Sequence, residues 1–361
     1  MPVRQLAFHL TDRCQLDCLH CLRDPARRPL DLDPALLDRV LEQAIRVYGC
    51  RHVALTGGEP VLHPRLAEVL DSIVRHGAAW HLVTSGSRFE ALLALLDADP
   101  RRRRALTAVD VSLDGPRAEV HDAIRGPGSF LEAMAAVTRC QALGLPFAIQ
   151  CTLHALNVET VEEMGLAAAH LGAKQLMFSL AQPTGTPRDR ELFLPPAAWR
   201  AARDRIERLA ATLKLDVGMA EGFPERERFH VCHPHRSETL HVDPRGRLSL
   251  CCQLSGTPGP DDHLVADLAS VDLVEGHRRL LALIHRAQAR RLDEIAAGPG
   301  DAWDAFPCNV CQRAFGKPHW TEDGAAGPQA RRERFGVEVG WRTSGDAAQP
   351  APPAGSGRTD S

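Results

Sequence analysis

The sequence predicts an α/β fold with a parallel sheet, and three observations carry that expectation. Six apolar runs of strand character alternate with helical patterns as far as Leu215. The helical stretches open on Asp, Ser or Asn caps or an early proline, and several close on glycine, at Gly49, Gly77, Gly144 and Gly172. Three motifs, "LTGGEP", "VTSGS" and "SLDG", fall where a strand runs into its loop, the carboxyl edge at which parallel α/β folds build their sites. Serial β–α units require right-handed crossovers, so the sheet is expected as an open barrel or a doubly wound one.

In chain order, "VRQLAFHLT" is the first strand and "DPALLDRVLEQAIRVYG" the first helix. "HVALTGG" with "HPRLAEVLDSIVRHG" forms the second unit, and "WHLVTSG" with "SRFEALLALLDADP" the third. The run Arg101–Arg104 follows and reads as a solvated loop rather than a phosphate patch. "LTAVDVSLDG" precedes helix "GSFLEAMAAVTRCQALG", and "PFAIQCTLH" precedes "NVETVEEMGLAAAHLGA". "KQLMFSLAQP" is the sixth strand, before helix "PPAAWRAARDRIERLAATLKL".

Residues 222–320 then turn irregular and cysteine-rich. They hold a hairpin, "ETLHVDPRGRLSLC", with Leu240 and Val242 alternating before a "DPRG" turn and Leu248 and Leu250 after it. The helical segment "VEGHRRLLALIHRAQARRLDEIAA" separates this hairpin from "CNVC". The expected organisation is a core domain over 1–220, a small α+β domain over 221–325 and a disordered tail over 326–361.

Composition excludes other classes. Hydrophobic residues are 44% and charged residues 25%, the balance of an ordinary globular chain with material for a large core. A net charge of −3 argues against nucleic acid as a partner. No stretch is long and apolar enough to span a bilayer, and "MPVRQLAFHL" lacks a signal-peptide pattern. A cytoplasmic protein with reduced thiols and no membrane partner is expected. In that setting eleven cysteines, several at ligand spacing, read as a metal framework rather than a disulfide one.

Three of them, Cys14, Cys18 and Cys21, crowd into the loop after the first strand. A disulfide uses two thiols and a closed zinc site four, so three leave one metal position open. Thiolates select zinc, Cu(I) or iron–sulfur clusters. The pattern C-x3-C-x2-C after a first strand, with GGE after the second, resembles the radical S-adenosylmethionine (radical SAM) superfamily. That resemblance implies a partial (β/α)6 TIM-like barrel. It also implies a [4Fe–4S] cluster on Cys14, Cys18 and Cys21 whose fourth iron is chelated by S-adenosylmethionine (SAM). The implied chemistry is reductive cleavage of SAM to a 5′-deoxyadenosyl radical, which abstracts a substrate hydrogen.

The same resemblance assigns further contacts. Gly57, Gly58 and Glu59, with Pro60, match the motif whose backbone carbonyls hold the SAM amino group, glycine allowing the close approach. His20 stands where the family has an aromatic beside the adenine, and Ser112 matches a ribose contact. Arg125 in "IRGPGSF" matches an arginine that pairs with the SAM carboxylate, and Gln182 an adenine contact. Thr84 and Ser85 stand where many relatives have Thr-Asn-Gly, and Ser85 is carried over as a cofactor contact. Loop packing for His20, a plain turn for the glycines and a surface position for Arg125 are the competing readings.

In the second cysteine group, Cys232 is followed by thirteen residues, Gly246, four residues and Cys251. This resembles the C-x(9–15)-G-x4-C element of SPASM and Twitch domains, and Cys308 and Cys311 add C-x2-C from a distant loop. No cysteine follows Cys311, which matches the shorter Twitch type with one auxiliary [4Fe–4S] cluster. A structural zinc on the same four thiols is the alternative. Glycine spacing selects Cys251, while hairpin alternation puts the adjacent Cys252 on the Leu248/Leu250 face, from which it could replace Cys251. Cys50, Cys140 and Cys151 read as packed thiols.

Four ligands leave no open iron, which suits electron transfer and hence a net oxidation. The resemblance therefore implies a radical SAM oxidoreductase, with maturation of a ribosomal peptide favoured. Small-molecule dehydrogenation or haem-type cofactor synthesis is the alternative, and a non-enzymatic metal-binding module the remote one. Expected partners are a peptide or small-molecule substrate and an electron donor of flavodoxin or ferredoxin type. The chain enters its first strand within a few residues, so a peptide substrate would call for a separate leader-peptide-binding protein.

Overall fold

The computed structural model describes residues 3–23 and 29–327. Beyond residue 327 the expected disordered tail lies outside the described residues. All six expected strands form: β1 (Gln5–His9), β2 (His52–Thr56), β3 (Ala79–Thr84), β4 (Leu106–Ser112), β5 (Phe147–Leu153) and β6 (Gln175–Leu180). The helix Pro34–Tyr48 shows how the local signals act. Asp33 accepts from Ala35 N–H, Pro34 opens the first turn, and Gly49, at φ 68°, ends it. Leu36, Leu37, Val40, Leu41 and Ala44 are the buried stripe of that helix.

β1 to β6 pair in parallel in chain order, as the barrel expectation requires. Two more parallel strands flank them, β7 (Asp216–Met219) beside β6 and β8 (Thr239–Val242) beside β1. β9 (Arg247–Ser249) and β10 (Leu264–Asp267) continue antiparallel beyond β8, completing a ten-stranded sheet. The β–α pattern thus runs past Leu215 to β7, a four-residue strand too short to show a period. The hairpin of β8 and β9 lies where expected, and its first strand covers the edge that β1 would otherwise expose, with Leu6 opposite Leu240 and Phe8 opposite Val242.

Strand alternation sorts the side chains into two layers. Leu6, Phe8, Val53, Leu55, Val109 and Phe178 are wholly buried in the apolar layer. Their neighbours in sequence form rows of a different kind, with His9 opposite Thr56, Ser112 opposite Gln150 and Thr152 opposite Ser179. An ordinary barrel fills its interior with branched apolar residues. These rows are polar instead, and His9, Thr56, Ser112, Thr152 and Ser179 line a cavity.

One expectation is corrected here. Arg101–Arg104 lie in a short helix, Pro100–Ala105, capped by Asp99, not in a solvated loop. Arg102 is buried, donating to Asp71 at 2.7 and 3.0 Å and to the Leu95 carbonyl at 2.9 Å. A carboxylate on the neighbouring helix is what makes one arginine of the four an interior group.

Candidate active site

The loop leaving β1 carries Cys14, Cys18 and Cys21, and it is folded by its own polar contacts. Arg23 donates to the carbonyls of Asp12 (2.7 Å) and Leu16 (3.2 Å), and Cys21 N–H donates to the Cys18 carbonyl at 3.1 Å. The three thiols come close enough to affect one another's ionisation. Burial raises Cys14 and pushes Cys18 up to about 12, so a bound metal's charge would be needed to hold both as thiolates.

The GGE strand exit is the other wall of this loop. Gly58 N–H donates to Thr11 and Glu59 N–H to Arg13, each at 2.7 Å. A Cβ on Gly57 would lie 2.6 Å from the Thr11 oxygen, and one on Gly58 only 2.2 Å from the Arg13 oxygen. The glycines are therefore demanded by the cysteine loop itself, a reason additional to any cofactor contact. Glu59 is wholly buried and accepts from Thr84 Oγ1 (2.9 Å), Ser85 N (2.9 Å) and Ser85 Oγ (2.7 Å). Burial raises its pKa against those hydrogen bonds. Ser85 in turn accepts from Gln15 of the cysteine loop at 3.1 Å.

These elements surround a cavity of about 340 Å3 at the carboxyl ends of the strands, within the usual range of small-molecule sites. Cys14, Cys18 and Cys21 line it, with His20, Gly57, Gly58, Ser85, Ser112, Arg125 and Gln182. Glu59 and Pro60 stand behind its surface. Arg125 is not a surface residue: it is the last residue of the helix Ala118–Arg125, and its side chain is 10% exposed. Its Nε donates to Asp114 at 2.5 Å, and His20 Nε2 donates to the same oxygen at 2.7 Å. Sequence reasoning quoted Asp114 within "SLDG" without giving it a role. The available signal was a carboxylate directly after the apolar run of β4.

The hairpin of β8 and β9 supplies the opposite rim, including Asp243, Arg245, Arg247 and Cys252. Behind that rim the second cysteine group gathers. Cys251 is influenced most by Cys252, to which it is hydrogen-bonded, and then by Cys308 and Cys232, while Cys308 is influenced by Cys232, Cys311 and Cys252. Cys308 and Cys311 sit three apart on the helix Pro307–Ala314, not in a loop, so one helix face presents both. Gly222 makes room for them, since a Cβ there would lie 3.1 Å from Cys308 Sγ. Cys251 caps the short helix Cys252–Gly256, so strand alternation ends before either cysteine. Cys252 opens to the cavity, whereas Cys232, Cys251, Cys308 and Cys311 are not among its lining residues. Cys50, Cys140 and Cys151 are buried in the core, as expected of packed thiols.

Residues 8–169 match the model of the Radical SAM superfamily. The chain carries a radical SAM domain over those residues. It is 28% identical over 324 residues to the PqqA peptide cyclase of Methylobacterium nodulans, covering 86% of this chain and 79% of that protein. It is 32% identical over 197 residues to the mycofactocin maturase MftC of Mycobacterium tuberculosis, covering 54% and 48%. Among solved structures, Streptococcus suis SuiB bound to its precursor peptide SuiA matches with a TM-score of 0.62 at 12% identity. That match covers 76% of this chain and 64% of SuiB, and it shows a shared fold.

A radical SAM protein implies a [4Fe–4S] cluster and SAM, and the residues present fit both. Cys14, Cys18 and Cys21 would hold the cluster at the cavity wall, with Arg125 and His20 beside it for SAM. Among the described residues no three His, Cys, Asp or Glu side chains are arranged for a single metal ion.

Proposed function

We propose that this chain is a radical SAM maturase that oxidises a ribosomal peptide, with an auxiliary [4Fe–4S] cluster on Cys232, Cys251, Cys308 and Cys311 as electron acceptor. One observation carries this reading. The first cysteine group lines a cavity and the second lies close to it without lining it: a Cβ on Gly222 would stand 3.1 Å from Cys308 Sγ and 3.2 Å from Nε2 of the cavity-lining Gln182. A four-thiol group near the cavity but outside its lining suits electron transfer and leaves the substrate to be held by the cavity's own side chains. The similarity to a peptide cyclase and to a mycofactocin maturase supports a peptide as substrate. When bound, the first cluster and SAM would supply a 5′-deoxyadenosyl radical that takes hydrogen from that substrate. A flavodoxin- or ferredoxin-type donor would provide the reducing electron. Anaerobic reconstitution tests the reading: about eight irons, one four-iron cluster per cysteine group, and 5′-deoxyadenosine from SAM are expected. Absence of SAM cleavage would sink the catalytic reading, and one zinc with four irons would remove the electron acceptor.

A further inference from the structure

We propose that Asp114 is the positioning residue of the SAM site, a single buried carboxylate that sets both His20 and Arg125. The inference rests on reading those two side chains as SAM contacts. They come from different parts of the chain, His20 from the cysteine loop and Arg125 from the end of the helix Ala118–Arg125. Nothing local places them in register. Asp114 is fully buried, and its Oδ2 accepts from His20 Nε2 (2.7 Å) and Arg125 Nε (2.5 Å). Its Oδ1 accepts from Thr152 N–H at 2.8 Å. Its backbone is fixed as well, the N–H donating to His121 Nδ1 (3.0 Å) and the carbonyl accepting from Asn157 Nδ2 (2.8 Å). One residue thus ties together the end of β4, the following helix, β5, the loop after β5 and the cysteine loop.

This arrangement has consequences for both contacts. Burial alone would raise Asp114, but Arg125 and His20 outweigh it and hold the carboxyl ionised, well below its usual range. Because Asp114 takes only the Nε of Arg125, the two terminal nitrogens have no hydrogen-bond partner among the described residues and remain for a second carboxylate. His20 gives its Nε2 proton to Asp114, which fixes the ring's tautomer and plane, and the buried His154 ring backs it at 5.9 Å. All three groups around the carboxylate are donors. An asparagine there would aim its amide N–H2 at one of them whichever way it turned, so the isosteric change must release at least one partner.

The test is SAM affinity, measured by equilibrium dialysis on the anaerobically reconstituted protein, for wild type, Asp114→Asn, Arg125→Lys and the double variant. Asp114→Asn is expected to weaken SAM binding by about ten- to a hundredfold, the scale of charge-assisted hydrogen bonds. The double variant should be little weaker than the worse single one, because both changes break one arrangement. In 15N-histidine NMR spectra of the apoprotein, the His20 Nε2–H tautomer should be lost in Asp114→Asn. Unchanged affinity, or losses that multiply independently, would overturn the role. If Asp114→Asn does not fold, His20→Phe and Arg125→Lys carry the test, since coupling between them requires the shared partner and additive losses refute it. A wild type that holds its cluster yet binds no SAM would instead overturn the parent reading, and this one with it.

Discussion

Gly58 and Asp110 show how much single positions decide. A Cβ on Gly58 would meet a backbone oxygen at 2.2 Å, an atom that cannot rotate away. Gly58→Ala should therefore cost about 2–4 kcal/mol, the range of severe overpacking, and lower the melting temperature of the apoprotein. An unchanged melt would mean that the cysteine loop yields freely. Asp110 lies in the polar layer of β4, opposite Val83 and Ala148, with His81 Nε2 3.9 Å away. Burial pushes it up to about 6. Its ordinary value in an unfolded chain is about 3.9, so the folded state retains the proton over a window in which the unfolded state loses it. The stability this confers is complete below pH ~4 and is lost as pH rises toward 6. Asp110→Asn, which mimics the protonated form, should stabilise by about 3 kcal/mol above that window and change stability little at pH 4. Denaturant melts at the two pH values check the sign, and an equal gain at both would remove burial as the cause.

At the scale of elements, the hairpin is the piece on which the site depends most. β8 is hydrogen-bonded to β1, whose end begins the cysteine loop, so one sheet ties that loop to the hairpin lying between Cys232 and Cys251. Its turn reaches the helix Pro34–Tyr48: Gly246 has φ +80°, and a Cβ there would lie 2.0 Å from Leu36 Cδ2. Leu36 is a side chain and can give, but the left-handed backbone cannot be relieved. Gly246→Ala should cost about 1–2 kcal/mol and reduce iron in the second cysteine group before the first. Iron analysis paired with thermal melts would show this. Equal loss from both groups would mean that the hairpin is not an independent support.

For the whole molecule, the division of labour between the two cysteine groups is the feature to test. Cys308 lies outside the cavity lining and outside the β1 loop. Cys308→Ala should halve the iron content, to about four per chain, and leave SAM cleavage without substrate largely intact. Oxidised product should disappear while 5′-deoxyadenosine still forms. Product at the normal rate would remove the electron-acceptor role. The barrel should melt as before, because the four thiols stand outside the parallel sheet that holds the main core.

What the sequence determined by itself was whatever is encoded over short distances. Period-two apolar runs, helix caps and glycine stops are local, and they yielded all six barrel strands and the hairpin turn. Cysteine spacing is local too, which is why Cys14, Cys18 and Cys21 were legible at once and Cys232 could be linked to Cys251 through Gly246. Tertiary structure alone decided what depends on contacts distant in sequence. His20 meets Asp114 across 94 residues, and no period or spacing encodes that contact. Arg102 looked solvated until Asp71, on another helix, gave it a buried partner. β8 could be read as a strand, but its place beside β1 follows from an open sheet edge that exists only once the barrel has formed. Cys251 and Cys252 carry the same lesson: only the fold shows that both thiols, hydrogen-bonded to each other at the turn into a short helix, stand near Cys308, while Cys252 alone of the two also lines the cavity.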